Sequence, residues 1–592
     1  MMTRKGEELD MWWGNADFIG NRRVFLISAY IVSAFLLVFS SSLFNRGYQD
    51  SWILEGVWPQ TLLFTLVFAV LVVNIKSNKQ LVVLIASFIM ILSAVPNLKY
   101  LQLYGAFDSI SHYGYASRII ELGHVPTIGA YSKEYSGTPG LHIFLASLSQ
   151  ITGISMNDSV KILLVLLSVL IIFVTYYAAN KMLSESNLRF VLYGLIFTLP
   201  VFISLFGTSY ALPLIFIFIA TLLKQFTSYS SSKYNYILLL SGSALIISHG
   251  VSSIFLAVLL CSIFVLMRTR SYVFPGLKID VSLYRRYFNY AVIVTLAVLV
   301  WWFISAPYLI RALIVNIINA IFNERSTEVI PGKFFEITPF NQLTFLILRF
   351  YDMILVGGLS LFGIFLYYKR LRSYFSDNAK IIFEQIMYIT LIIGLITIPS
   401  AFILRSYTLE RFYVYFKILS PFLIGIGLIG LYRYTEERIE KLSTRRFLFS
   451  LFFFIILVPS LLTTYTYQPI IPTNNRNEYI VDYRSVNTNY QVSMITFADQ
   501  HYAPNSRVGS DSVTSWQIRG LASTPFFLTY TYTNPLNEDY YKVTMVLMHY
   551  SGLSGTLNEK IDYRTRYKVD DLKLKLGTNI VYDNSESFIL LP

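Results

Sequence analysis

Asp108 and His112 stand four residues apart in Phe107-Asp108-Ser109-Ile110-Ser111-His112, just beyond a long apolar run. A carboxylate and an imidazole at that spacing can share a proton, and an acid kept beside a membrane is costly enough to point to a function. The same spacing also describes a short surface helix with Asp108 at its cap and His112 one turn along. Three further polar groups interrupt the apolar chain: the loop 311–339 with Glu324, Arg325, Glu328, Lys333 and Glu336; the run Arg405 to Arg411 with Glu410 inside it; and the turn Ser248-His249-Gly250. A carboxylate in such a place can serve as general base or metal ligand. Guanidinium groups clamp phosphate oxygens bidentately and stay charged in a partly apolar setting, which suits Arg405 and Arg411 to a lipid-linked phosphate. Lys417, inside the next apolar run, needs an anionic partner, either a bound anion or an in-membrane acid such as Asp352. Each group also has a plainer reading as a solvated loop, a paired or snorkelling span end, or a structural histidine at a turn.

The elements that must position these residues are membrane helices. Of 592 residues 55% are hydrophobic and 14% charged, which excludes a soluble globular chain. Apolar runs near the ~20 residues that cross a bilayer lie at 23–43, 58–75, 79–95, 157–179, 288–309, 383–404, 412–432 and 447–466, with shorter ones at 189–205, 209–223, 235–248, 250–267 and 352–368. Basic residues cluster between them: Arg22 and Arg23, Lys76 and Lys79, Arg268 to Arg286, Lys369 to Arg372, and Arg433 to Arg446. Placing every cluster in the cytoplasm predicts about thirteen crossings, a cytoplasmic N-terminus and an outward C-terminus. Asp108, His112, the 311–339 loop, the 405–411 run and His249 then share the outer face. This threading requires the short piece Leu141–Ile154 to stay in the interface; a true span there reverses every later loop.

The division that follows is a polar, interfacial N-terminus over 1–22, a transmembrane unit over 23–466 with outer loops at 96–156 and 310–340, and an extracytoplasmic unit over 467–592. In the last, 507–511, 526–532, 579–582 and 587–591 read as strands, and 490–501 and 540–550 as helices, giving a small α/β or α+β fold. Trp12 and Trp13 suit an interfacial anchor rather than a cleaved signal. The lone Cys261 excludes an intramolecular disulfide and a Cys-rich metal site. The formal charge of +13 sits largely in the cytoplasmic loops, so it reports topology and anionic lipid rather than nucleic acid. No phosphate-binding loop, dinucleotide fingerprint, His-Glu-x-x-His helix or sequence repeat is present.

The run Phe107-Asp108-x-x-x-His112, continuing through Ala116, Ile119, Leu122-Gly123 and Pro126 to Tyr135-Ser136-Gly137-Thr138-Pro139-Gly140-Leu141-His142, resembles the first external loop of GT-C superfamily membrane glycosyltransferases. It is most like archaeal ones related to oligosaccharyltransferases and protein mannosyltransferases. Leu199-Pro200, Gly207-Thr208-Ser209, His249 and Glu410-Arg411-Phe412 follow in similar order. The resemblance implies sugar transfer, with inversion, from a polyprenyl- or dolichyl-phosphate donor to a glycan, lipid or protein acceptor, in the plasma membrane. Asp108 becomes the catalytic or metal-associated carboxylate, with Mg or Mn as the possible cofactor and His112, Glu324 and Glu328 beside it. Glu134, His249, Arg405, Glu410, Arg411 and Lys417 become substrate-binding candidates. The Trp-Trp-Asp-Tyr-Gly motif of oligosaccharyltransferases is absent, Ser515-Trp516-Gln517 being the nearest piece, so asparagine-linked transfer is not implied; nor is there an Asp-x-Asp pair in the first loop. The competing readings are a polysaccharide polymerase or O-antigen-ligase-like enzyme, a lipid-linked sugar flippase, and an inactive lipid-binding relative.

Overall fold

The computed structural model describes residues 16–43, 57–99, 107–126, 136–182, 185–199, 207–227, 232–273, 281–307, 310–311, 314, 339–371, 380, 383–394 and 406–465, and beyond these 471–472, 479–480, 489–501, 507–510, 527–530, 545–549, 579–583 and 587–591. Helices dominate up to residue 465. They are α1 (Ala16–Leu43), α2 (Trp58–Asn74), α3 (Asn78–Lys99), α4 (Phe107–Leu122), α5 (Gly140–Thr152), α6 (Met156–Met182), α7 (Glu185–Phe197), α8 (Gly207–Thr227), α9 (Ser232–Ser248), α10 (Gly250–Val273), α11 (Val281–Ser305), α12 (Pro339–Leu366), α13 (Phe383–Gly394), α14 (Ser406–Arg438) and α15 (Leu442–Tyr465). Nearly all match the apolar runs read from the sequence; α1 starts earlier, inside the segment assigned to the N-terminal anchor. Among the described residues six helices are long and apolar enough to cross a membrane: Val24–Leu43 of α1, Asn78–Leu98 of α3, Met156–Asn180 of α6, Phe288–Ser305 of α11, Tyr413–Arg438 of α14 and Leu442–Leu461 of α15. Their outer faces expose large apolar side chains, such as Val24, Phe25, Ile31 and Phe35 on α1 and Phe303 and Ile304 on α11. A protein dissolved in water does not leave so wide an apolar surface uncovered. The chain is a polytopic helical membrane protein.

α14 is the centre of the bundle, packed against α7 on one side and α12 on the other. Two glycines make this close approach possible. A side chain at Gly425 would put its Cβ 2.8 Å from the Phe190 carbonyl oxygen of α7, and one at Gly363 of α12 would collide with the Leu423 carbonyl oxygen. In lipid there is little hydrophobic gain on joining two helices, so dispersion between closely fitted backbones carries the association. Tyr193 and Phe197 of α7 and Phe453 of α15 extend the seam as an aromatic layer, with Phe197 stacked on Phe453 at 5.3 Å.

α4 and α5 belong to the loop between α3 and α6 and have a small core of their own. Ala116, Leu141, Leu145 and Ala146 pack on Met156, Val160, Leu163, Leu164 and Leu167 of α6. At 13 residues α5 is about 20 Å long, short of the ~30 Å hydrocarbon thickness. It packs against α6.

After α15 the described residues form a strand pair, β1 (Ile471–Pro472) with β2 (Tyr479–Ile480), then helix α16 (Asn489–His501) and a five-stranded sheet. The sheet comprises β3 (Arg507–Ser510), β4 (Phe527–Tyr530), β5 (Met545–His549), β6 (Asn579–Asp583) and β7 (Ser587–Leu591), in the order β4-β3-β5-β7-β6. β3 runs parallel to β4 and β5, while β7 is antiparallel to β5 and β6. α16 lies against β7 and buries Met494, Ile495 and Ala498. Four strands and α16 fall where the sequence predicts them. The helix expected over 540–550 is overturned: Met545–His549 is the central strand, paired on both edges. The segment reads as a continuous apolar run, Met545-Val546-Leu547-Met548, which periodicity cannot tell from a helix.

Gly425→Val is expected to lower the apparent melting temperature of the detergent-solubilised protein, through an overpacking cost of about 1–3 kcal/mol. Gly357→Ala, in α12 with nothing within 4 Å of the added carbon, should leave it unchanged or raise it. Equal behaviour of the two variants in a thermal-shift measurement contradicts the packing account.

Candidate functional site

Two of the polar residues singled out in the sequence, His112 and His249, lie where helix ends come together. His112 lies on the buried face of α4 with Ser109, Tyr115 and Ala116, spaced for one side of a helix. Its ring meets His142 at the start of α5: Nδ1 of His112 is 2.8 Å from Nε2 of His142, and both rings are buried, at 6% and 1% exposure. Tyr115 presents its ring edge-on to His142 at 4.7 Å, and its hydroxyl donates to the Pro126 carbonyl at 3.3 Å. Asp108 is the second residue of α4, one turn before His112 on the same face.

The start of α5 is clamped by two other helix ends. Trp301 Nε1 near the end of α11 donates to the Gly137 carbonyl at 2.8 Å. Gly140 lies so close to the end of α9 that any side chain would strike Ser248 Oγ. Ser248 is in turn hydrogen-bonded by Tyr210 of α8, whose ring also touches Phe144 of α5 at 5.6 Å. The residue after Ser248 is His249, which brings the two histidine regions together.

His249 occupies the single-residue turn between α9 and α10 and caps α10: the Ser252 backbone N–H donates to His249 Nδ1 at 3.2 Å, and Ser252 Oγ is 2.5 Å from the same nitrogen. Ser252 Oγ is also 2.5 Å from the Tyr415 hydroxyl on α14. Phe255 stacks on the Tyr415 ring at 4.1 Å and 14°. Arg411 lies one turn before Tyr415 on the same face of α14. Lys417 places Nζ 5.6 Å from the Tyr413 ring centroid, a cation–π contact.

Asp108, Glu410 and Arg411 have described helical backbones, but their side chains, like that of Asp352, lie outside the described residues. Glu134, Glu324, Glu328 and Arg405 lie outside them altogether. His112 meets His142 and His249 follows Ser248, which Gly140 approaches; the sequence reading missed four of their neighbours: His142, Tyr115, Ser252 and Tyr415. A His-x-x-Ser turn between two apolar runs was a legible signal for a helix cap. The meeting of Ser252 with Tyr415, far apart in the chain, had none.

The histidine pair fits a shared proton rather than a shared metal. Two nitrogens bound to one tetrahedral zinc at ~2.0 Å sit roughly 3.3 Å apart, whereas 2.8 Å is a hydrogen-bond distance. Among the described residues no three His, Cys, Asp or Glu side chains come together.

At the other end of the bundle the polar groups are basic. Arg189 at the start of α7 donates to the carbonyls of Ile75, at 2.9 Å, and Lys76, and its Nε reaches Asn78 Oδ1 at 3.3 Å. Arg445 pairs with Glu436 at 3.1 Å between α15 and α14.

No protein-family model and no curated protein matches the sequence. Solved structures do. ArnT from Cupriavidus metallidurans bound to undecaprenyl phosphate aligns with a TM-score of 0.51 at 12% identity, over 87% of this chain and 98% of that one. The Archaeoglobus fulgidus oligosaccharyltransferase aligns in its apo form with a TM-score of 0.51 at 12% identity, over 86% and 74%, and in its complex with Zn and sulfate at 0.50 and 12%, over 85% and 72%. The chain shares the fold of these two proteins. The likeness is one of architecture, and it agrees with the resemblance read from the first loop.

Burial, and then the neighbouring His112, hold His142 well below the ordinary histidine value of 6.5. Below that pH the unfolded chain takes up a proton that the folded chain refuses, so stability is complete above pH 6.5 and falls as the pH drops beneath it. The melting temperature should therefore decline between about pH 7 and pH 5, and His142→Gln should flatten the decline. An unchanged slope in the variant argues against the buried neutral imidazole.

Proposed function

We propose that this chain is a membrane glycosyltransferase that moves a sugar from a polyprenyl-phosphate-linked donor to an acceptor at the extracytoplasmic face. The observation that carries it is the convergence of the first-loop helices, the His249 turn and the Tyr415 end of α14 at one end of a GT-C-type bundle, with the basic contacts of Arg189 and Arg445 at the other. Basic residues mark the cytoplasmic side, so the site opens outward. In this reading the six long helices and the shorter apolar ones other than α5 make thirteen crossings, and the contacts of Arg189 with Lys76 and of Gly140 with Ser248 support it. Residues 467–592 then follow as an extracytoplasmic unit.

In this reading Asp108 is the general base. It takes the proton from an acceptor hydroxyl as that oxygen attacks the anomeric carbon; the bond from that carbon to the phosphate oxygen breaks, and the phosphate departs with the electron pair. Arg405 and Arg411 stabilise the leaving phosphate, where low dielectric makes a guanidinium most effective. His112, joined to His142, orients the face of α4 that carries Asp108. Glu324, Glu328 and Glu134 complete the acidic surroundings, with Glu410 and Lys417 flanking the arginines. A divalent cation held by Asp108 would help neutralise the departing phosphate. ArnT, whose fold the chain shares, was crystallised with undecaprenyl phosphate, which supports a lipid phosphate as the donor's leaving group.

Asp108→Asn should lower transfer from a panel of undecaprenyl- and dolichyl-phosphate sugars by about 100-fold or more, with normal expression, read as release of the polyprenyl phosphate. Transfer at the wild-type rate defeats the assignment of Asp108, and lipid movement across vesicles without any glycosylated product favours the flippase reading. For the orientation, a Cys261→Ser protein carrying His124→Cys should react with an impermeant maleimide from outside intact cells, and one carrying Glu440→Cys only after permeabilisation. The opposite pattern reverses the topology.

A further inference from the structure

We propose that Tyr193 and Arg189 of α7, with Arg446 of α15, form a binding site for a phosphate group at the end of the bundle opposite the first-loop helices. The site is separate from the one assigned to glycosyl transfer and does not depend on it.

The hydroxyl of Tyr193 is what calls for a ligand. Tyr193 is 4% exposed, and its hydroxyl makes no hydrogen bond among the described residues. The charges that act on it are the guanidinium groups of Arg189, one turn earlier on the same face of α7, and of Arg446. A guanidinium only donates hydrogen bonds, so neither arginine can take the phenolic hydrogen. A buried hydroxyl without an acceptor is costly, and two cations facing one oxygen favour an anion as that acceptor over water. The carboxylate of Glu436 does not serve: Arg445 holds it at 3.1 Å and the Tyr432 hydroxyl donates to it at 3.3 Å. A phosphate oxygen answers both demands, because it accepts from the hydroxyl and fits the planar fork of each guanidinium.

Helix packing builds the walls of this site. Arg189 is fixed by the Ile75 and Lys76 carbonyls at the end of α2 and by Asn78 at the start of α3, while its charge still acts at Tyr193. The Tyr193 ring is held edge-on to Phe190 at 6.0 Å and to Phe453 of α15 at 5.3 Å. Arg446 stands two turns before Phe453, on the face of α15 that meets α7. It is half-buried on a flexible stem, so its swing admits a phosphate to the hydroxyl while Arg189 stays in place. In the orientation proposed above this end meets the cytoplasmic leaflet, whose anionic lipids carry such phosphates; a soluble phosphate offers the same chemistry.

The test uses the full-length protein in detergent and measures binding of short-chain phosphatidylglycerol, with phosphatidylcholine as the zwitterionic control and inorganic phosphate as the lipid-free probe. Arg446→Gln should weaken phosphatidylglycerol binding about tenfold or more, and Tyr193→Phe several-fold, as expected for charge-assisted hydrogen bonds. Lys441→Gln, exposed just before α15, should bind as the wild type does. Without lipid, Tyr193→Phe should melt no lower than the wild type, since it deletes a hydroxyl that has no partner among the described residues, so its loss of binding is not a loss of fold. Inorganic phosphate that binds the wild type and is lost in the same two variants supports the site with a soluble source; phosphatidylglycerol binding without it assigns the lipid headgroup. A wild type that binds inorganic phosphate not at all and the two lipids equally overturns the proposal. So does affinity undiminished in Arg446→Gln and Tyr193→Phe, or an equal loss in Lys441→Gln, which would mark a diffuse surface charge.

Discussion

The contact of Gly140 with Ser248 is the constraint on which the functional end of this molecule depends. The N-terminus of α5 is located because a residue without a side chain lets it press against the end of α9. That contact, together with the Trp301 hydrogen bond to Gly137, brings His142 and hence His112 beside the His249 turn. With a larger residue at 140 the first-loop helices would stand off from the bundle, and the two histidine groups would no longer share a site.

The same logic governs the rest of the bundle, on a larger scale. α14 can connect the Tyr415 network at one end with the Glu436–Arg445 pair at the other because it packs tightly on α7 and α12 at Gly425 and Gly363. In hydrocarbon an unsatisfied polar group is costly, and buried hydroxyls such as those of Thr65, Ser168 and Ser420 turn to their own helix backbone, while others find a partner on another helix. Ser252 and Tyr415 take the second course. Their pairing ties α10 to α14 at the end where the chemistry is assigned.

Legibility differed by element for physical reasons. α1, α3, α6, α11, α14 and α15 were readable because a bilayer demands ~20 apolar residues with internal hydrogen bonding, and that demand is written directly in composition. α4 was only half readable: Asp108 and His112 at helical spacing were visible, but its buried face is short and mixes Ser109, His112 and Tyr115 with Ala116. β5 misled because its unbroken apolar run reads equally well as helix or strand, and only its pairing with β3 and β7 distinguishes it from a helix. In the site, His249 stood out as a polar residue in an apolar stretch. Ser252 and Tyr415 did not, since serine and tyrosine are ordinary residues of membrane helices and their significance lies in their separation from one another.

The amino-acid sequence by itself determined that this chain lives in a membrane, where most of its helices begin and end, and which polar residues interrupt them. Those properties follow from local hydrophobicity and charge, which need no knowledge of neighbours. Which polar residues meet was decided only by tertiary structure. His112 finds His142, Gly140 finds Ser248, and Ser252 finds Tyr415 across 163 positions of chain. Such pairings depend on the relative rotation and depth of packed helices, which glycine contacts and aromatic layers set collectively and no single segment encodes.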